Sequence, residues 1–316
     1  MTVHFILSGE TLESISEEIH LENPKYLKEF HNSHCAREDI IENGLMPGRK
    51  LLLPDFEIIN EYNSRNDAPL KQSKLNPEIP FTPDDFSRIY TVTITEIEEN
   101  TLERKSNTLT YTVSVKWIRK EGAGHIFHIF KNNFSDAQGS MMSDLASESM
   151  RALNPFVIRT DEKGEIVTIE LNENAVHNFS RIKDRLADLF PDQYAGVYLD
   201  EFEFAVMNRD LFNKRMQEDL FMKIYFASLR NYFHNGKSLL HQTLREKNFP
   251  VELTQQVESW DDPEKIVLRQ NETFNQQVVF NGRYNIMFKT GMVQKAEVNY
   301  ILYQEDIKTS TFIAIE

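Results

Sequence analysis

The chain has 316 residues, 40% of them hydrophobic, which is room for more than one domain with an ordinary packed core. Its net charge of −14, from 49 acidic and 35 basic residues, argues against nucleic acid or an anionic membrane as the main partner. There is no apolar stretch of the roughly eighteen residues that a membrane-spanning helix needs, so no membrane insertion is expected. Met1-Thr2-Val3-His4 lacks the basic start of a secretory leader, and the single Cys35 cannot form an internal disulfide; both features lead to an expected cytoplasmic location, or export as part of an assembly.

The first predicted element is a strand over residues 3–7, with Val3, Phe5 and Leu7 on one face and His4 and Ile6 on the other. Gly9 breaks it. The Thr11 hydroxyl can accept an orphan backbone N–H of the helix that follows, in which Leu12, Ile15 and Ile19 recur at helical spacing. Asn23-Pro24 opens a second helix, with asparagine as cap and proline at the first helical position, where its missing N–H costs nothing. Tyr26, Leu27 and Phe30 supply its buried face. After Ile40, Ile41 and Leu45, Pro47-Gly48 turns the chain into a strand over residues 50–53, which Pro54 ends.

A strand, two helices and a strand within residues 1–55 resemble the LysM domain. The residues that carry the resemblance are the turn Gly9-Glu10-Thr11-Leu12, Ile15 in the first helix, Asn32 at the end of the second, and the close Gly48-Arg49-Lys50-Leu51-Leu52-Leu53-Pro54. Ser8 stands where that family commonly has proline, and Glu10 where it has aspartate. The resemblance implies binding of N-acetylglucosamine glycans, peptidoglycan or chitin, in a shallow groove. One side would be Ser8, Gly9, Glu10, Thr11 and Leu12; the other would be residues 44–47, where Leu45 and Met46 form an apolar wall. It also implies a second kind of role, because signal-less LysM proteins occur in phage tails and contractile, type VI secretion-like machines. Gly9, Thr11 and Asn32 also have local reasons to be present, as turn and cap residues.

Pro69, Pro77, Pro80 and Pro83 lie among polar residues, which predicts a linker over residues 56–86. Beyond it, alternating β-branched and aromatic residues predict strands over 89–94, 109–117, 125–130, 156–159 and 166–171, with a hairpin turn at Asp161-Glu162-Lys163-Gly164. The period then becomes helical. One helix is expected from Asn174 to Pro191, through Val176, Phe179, Ile182, Leu186 and Leu189. A longer one is expected through Leu211, Phe212, Met216, Phe221 and Leu229 toward Asn235-Gly236. The last fifty or so residues return to strands, with Asn281-Gly282 as the strongest hairpin signal of the chain.

Few constellations suggest chemistry. His31, His34 and Cys35 lie close together but have no matching pair at zinc-like spacing, so no metal and no cofactor is expected. His125 and His128 are three apart on a predicted strand and should face opposite ways. Asp200, Glu201 and Glu203 read as acidic residues favoured at a helix start. No acid/base pair can be assigned, which disfavours an enzyme. Phe202, Phe204, Met207, Phe212, Met216 and Phe221 cover more than one helical stripe and offer a candidate partner surface.

The expected fold is thus α+β: a small βααβ domain over 1–55, a linker over 56–86, and over 87–316 a mostly antiparallel sheet domain with an inserted helical pair. The expected function is a non-catalytic structural or adaptor protein of a contractile, type VI secretion-like apparatus, with protein partners. The alternative is a protein that binds peptidoglycan or chitin.

Overall fold

A computed structural model of the chain describes residues 2–42, 44–65, 67–68, 76–136, 139–233, 236–244, 249–260, 262–272, 277–304 and 307–316. Two compact units emerge: residues 1–77 with 232–237, and residues 78–231 with 238–316.

The first unit runs β1 (Thr2–Phe5), α1 (Leu12–Glu18), α2 (Pro24–His34), a short 3-10 turn (Arg37–Asp39), β2 (Lys50–Leu53) and α3 (Phe56–Ser64). The two strands pair antiparallel, Val3 opposite Leu52 and Phe5 opposite Lys50. Ile6, Ile15, Leu21, Tyr26, Leu27, Ile41, Leu51 and Ile59 make one buried cluster, so Ile6 marks the inward face of β1 while Val3, Phe5 and Leu7 face out. Residues 56–64 were expected to be linker; they form α3 instead. Asp55 caps it through Ile58 N–H, Ile59 enters the core, and Tyr62 stacks on Tyr26 with ring centroids 4.6 Å apart. Arg65 lies over both rings, and the Tyr26 hydroxyl donates to Asp67. Polar neighbours hid this short amphipathic helix, because only one of its faces is apolar.

The second unit is built on an antiparallel sheet in the order β7-β6-β5-β4-β3-β13-β12-β11-β10-β9-β8. The strands are β3 (Ser87–Glu99), β4 (Arg104–Glu121), β5 (Gly124–Asp136), β6 (Phe156–Thr160), β7 (Ile166–Leu171), β8 (Lys237–Leu244), β9 (Phe249–Ser259), β10 (Lys265–Glu272), β11 (Val278–Met287), β12 (Val293–Gln304) and β13 (Ile307–Ile315). Helix α4 (Met141–Ala152) joins β5 to β6, and α5 (Glu173–His177), α6 (Phe179–Leu189), α7 (Gln193–Met207), α8 (Arg209–Gln217) and α9 (Leu220–Tyr225) lie between β7 and β8. The α+β class is as expected. Strands β8 and β9 and helix α4 lie where no element was predicted.

The helical pair proves to be a series of shorter helices. Asn208 accepts from Leu211 N–H and Asp219 from Met222 N–H, and each side chain restarts the helix it caps. The long helix expected through Leu229 therefore ends at Tyr225; Asn235, its expected cap, lies outside the described residues. Asp200, Glu201 and Glu203 fall in the middle of α7, not at a helix start. Lys183 of α6 donates to Asp200 and Glu203 at 2.7 and 2.5 Å.

Asn281-Gly282 makes no hairpin. Both residues lie inside β11, with Gly282 opposite Gln270 on one side and Val298 on the other. A Cβ at Gly282 would meet the Tyr284 and Phe280 rings at 3.0 and 3.1 Å, so the glycine makes room for aromatic rings folded over the strand. The turn between β11 and β12 is made instead by residues 288–292, with Gly291 at φ +70°.

The sheet is curled, as one residue demonstrates. In a flat sheet the β6–β7 and β11–β12 turns would lie roughly 30 Å apart, at about 4.8 Å per strand. Yet the Arg230 guanidinium donates to Lys163 O in the first turn at 2.9 Å and to Gly291 O in the second at 3.0 and 2.6 Å. Phe81 stacks on the same guanidinium, 4.3 Å away. Burial pulls the Arg230 pKa down to about 10, so the group stays charged at neutral pH. Both edge strands also line a single cleft of about 340 Å³, Ile166 from β7 and Leu240, His241 and Gln242 from β8. Helix α9 fills the inside of the curl, where Tyr225 packs on Tyr90 of β3 and Phe226 on Phe127 of β5.

Candidate functional site

In the first unit, the turn after β1 and the loop before β2 come together. Glu10, Thr11, Leu12 and Glu13 face Lys28, Ile41, Glu42, Gly44 and Leu45 across a cleft of about 390 Å³. The sequence resemblance pairs residues 8–12 with 44–47, and of these Glu10, Thr11, Leu12, Gly44 and Leu45 line this cleft. An adjoining cleft of about 370 Å³ shares Ile41, Glu42, Gly44 and Leu45 and adds Ile6, Asp39, Ile40, Met46, Arg49 and Lys50. Met46 thus lines the neighbouring cleft. Ser8 and Gly9 sit in the exposed turn, where Gly9 adopts φ +92°.

Most polar groups at the cleft are already engaged locally. The Thr11 hydroxyl accepts from Ser14 N–H at 3.1 Å, and Thr11 N–H donates to the Ser14 hydroxyl at 2.9 Å, a reciprocal cap that fixes the start of α1. Lys28 Nζ donates to Glu42 O at 2.9 Å and ties α2 to the loop. Asn32 clamps the same loop: its amide donates to Ile41 O at 3.0 Å and its carbonyl accepts from Ile41 N–H at 2.9 Å. The asparagine singled out in the sequence therefore shapes the cleft wall from behind.

Glu10 holds the opposite wall. Its carboxylate accepts from Leu7 N–H at 2.7 Å and pairs with His4 Nε2 at 2.8 Å, and these bonds keep its pKa below the ordinary 4.5. A carboxylate with a depressed folded pKa contributes stability above its unfolded pKa and loses it as pH falls through the folded value. The turn should therefore loosen in acid. The protection factor of the Leu7 amide, measured by NMR as exchange relative to the intrinsic rate at each pH, should fall as pH drops below 4.5, and Glu10→Gln should remove most of that dependence. Unchanged acid sensitivity in the variant would assign the effect to another group.

His31 is buried, with both ring nitrogens occupied: Nδ1 accepts from Leu52 N–H at 3.0 Å, which leaves Nε2 to donate to Asp39 O at 2.8 Å. It acts as a bracket between α2, the 3-10 turn and β2. Among the described residues, no group of three His, Cys, Asp or Glu is placed to hold a metal ion. His125 and His128 face opposite sides of β5. His125 is buried and accepts from Trp117 Nε1 at 3.1 Å, and burial lowers its pKa.

The candidate partner surface divides. Phe212, Met216 and Phe221 are buried and belong to the core. Phe202 is half-buried, stacked on Tyr198 with centroids 6.0 Å apart and packed beside Leu145, Leu186, Ala195 and Leu199. Phe204 and Met207 remain exposed, at 68% and 51%. Sequence reasoning missed Tyr194 and Val197, which are exposed on the same helix at 76% and 56%. The signal was their spacing from Phe204, ten and seven residues, which places all three on one helical face.

No family model matches the chain, and no curated protein matches it in sequence. Among solved structures, one of lipovitellin, concerned with lipid–protein interactions, aligns with 72% of this chain at 10% identity and a TM-score of 0.42. The alignment covers 24% of that protein, so this chain spans less than a quarter of it. An outer membrane lipoprotein-sorting protein domain from Vibrio parahaemolyticus aligns over 72% of this chain and 85% of its own, at 11% identity and a TM-score of 0.21. A DUF1329 family protein from Desulfovibrio piger aligns over 73% and 85%, at 10% identity and a TM-score of 0.19. Likenesses this distant carry no argument about function.

Proposed function

We propose that the chain is a non-catalytic binding protein whose first unit is LysM-like and takes N-acetylglucosamine glycan in the cleft between residues 10–13 and Ile41, Glu42, Gly44 and Leu45. The observation that supports this reading is the cleft itself: Glu10, Thr11 and Leu12 from one segment that the LysM resemblance pairs, and Gly44 and Leu45 from the other, line one concave site. Leu12, Ile41 and Leu45 supply apolar wall for an acetamido methyl. Glu10, Glu13 and Glu42 against Lys28 make the rim net acidic, which suits a neutral sugar such as a chitin oligomer better than an anionic ligand. Calorimetry of the full chain with chitin oligomers should show binding that Leu45→Trp, a substitution that fills the cleft, removes while far-UV circular dichroism stays unchanged. No heat at millimolar oligomer would sink the glycan reading.

A second reading is a structural or adaptor component of a contractile, type VI secretion-like assembly that works by protein docking. The exposed apolar residues of α7, Tyr194, Val197, Phe204 and Met207, favour it.

A further inference from the structure

Helix α7 presents two faces of opposite use. Ala195, Leu199, Ala205 and Val206 are buried, and Leu145 of α4 and Leu186 of α6 join Ala195 and Leu199 in one cluster. The outward face carries Tyr194, Val197, Glu201 and Phe204 at i, i+3, i+7 and i+10, with Met207 one turn on. Burial of Tyr194, Val197, Phe204 and Met207 at 76%, 56%, 68% and 51% exposure would remove apolar surface from water along a line of about 20 Å, at 1.5 Å per residue. A single helix laid along α7 can cover a line of that length.

Charge decides between possible occupants. Lys183 neutralises Asp200 and Glu203 from the side, at 2.7 and 2.5 Å, and those bonds raise the lysine pKa. Glu201 has no such partner among the described residues and lies between Val197 and Phe204 on the outward face. In a symmetric pairing of two α7 helices centred on this face, the two Glu201 carboxylates would meet in a drying interface, where like charges are costly. A net charge of −14 per chain adds to that repulsion. A covering helix with lysine or arginine opposite Glu201 meets neither penalty.

We propose that the outward face of α7 is a docking surface for a basic amphipathic helix of another protein, with Val197 and Phe204 as apolar anchors and Glu201 as the charge that selects the partner. The inference rests on the protein-docking reading above and gives that partner its chemistry.

The test uses the full chain as bait for a displayed library of random 16-residue peptides, followed by affinity measurements on synthetic versions of the enriched sequences. Enriched peptides should carry apolar residues at helical spacing with lysine or arginine among them. Their affinity should fall about thirtyfold or more in Phe204→Glu and in Val197→Glu, as expected for loss of a central anchor. Glu201→Lys should weaken them and reverse the charge preference of a repeated selection. Because these side chains are exposed, far-UV circular dichroism and thermal melts should match the wild type and show that the variants fold.

Enriched peptides that are uncharged or acidic, or that bind Phe204→Glu and Val197→Glu unchanged, would overturn the proposal. So would a concentration-dependent dimer in sedimentation equilibrium that Val197→Glu abolishes, since the occupant would then be a second copy. A protein cross-linked to α7 in native cells that presents such a helix but belongs to no contractile assembly would remove the second functional reading and support this surface.

Discussion

Gly291→Ala should destabilise the large unit by about 3 kcal/mol or more, whereas Gly196→Ala should leave it unchanged or slightly more stable. Gly291 sits at φ +70°, and a Cβ there would lie 1.8 Å from the carbonyl oxygen of Pro80. A side chain in the left-handed region costs roughly 1–2 kcal/mol by itself. The clash adds to this because the atom met is backbone. Relief requires moving residues 78–86 away from the β11–β12 turn, which draws Phe81 off Arg230 and pulls on the bonds from Arg230 to Gly291 O. Gly196 has nothing within 4 Å of its would-be Cβ and lies in helix α7, where alanine is preferred by about 0.8–1 kcal/mol. Differential scanning calorimetry should show the melting transition of the large unit lowered by roughly 6–12 °C in Gly291→Ala. Equal transitions for the two variants would contradict the packing described around Arg230.

Asn32→Ala should cost the first unit about 2–3 kcal/mol and weaken glycan binding more than tenfold, should the cleft bind glycan. The substitution leaves both Ile41 N–H and Ile41 C=O without their partner, and each unsatisfied group costs about 1–3 kcal/mol unless water reaches it. Ile41 is buried in the core and also lines the cleft, so the same loss loosens core and cleft wall together. Chemical denaturation followed by a probe in the first unit would measure the stability, and calorimetry with chitin oligomers the affinity. Asn32→Asp restores the acceptor for Ile41 N–H but not the donor to Ile41 O, so it should fall between wild type and alanine. An alanine variant with wild-type stability would mean that the loop is held by other contacts.

The parts of this protein legible in its sequence are those encoded by near neighbours. The Thr11 and Asn23 caps, the proline opening α2, the Asp161–Gly164 turn and the alternation of β3, β4 and β5 all arise from interactions within a few residues, and each stands in the structure. That Glu10, Thr11 and Leu12 stand opposite Gly44 and Leu45 was suggested by a resemblance alone and not by local spacing, and the Ile41 loop beside them is fixed by one asparagine side chain. The rest depended on contacts distant in the chain. Gly282 reads locally as a hairpin, but it lies in a central strand where aromatic rings need the space of an absent side chain. Phe212, Met216 and Phe221 resembled a docking surface until the sheet curled over them, while Tyr194 and Val197 became surface because α4 and α6 cover only the other side of α7. Hydrophobic spacing tells which residues share a face; which face meets solvent is set by the curl of the sheet, held by Arg230 across two turns that the chain order keeps far apart.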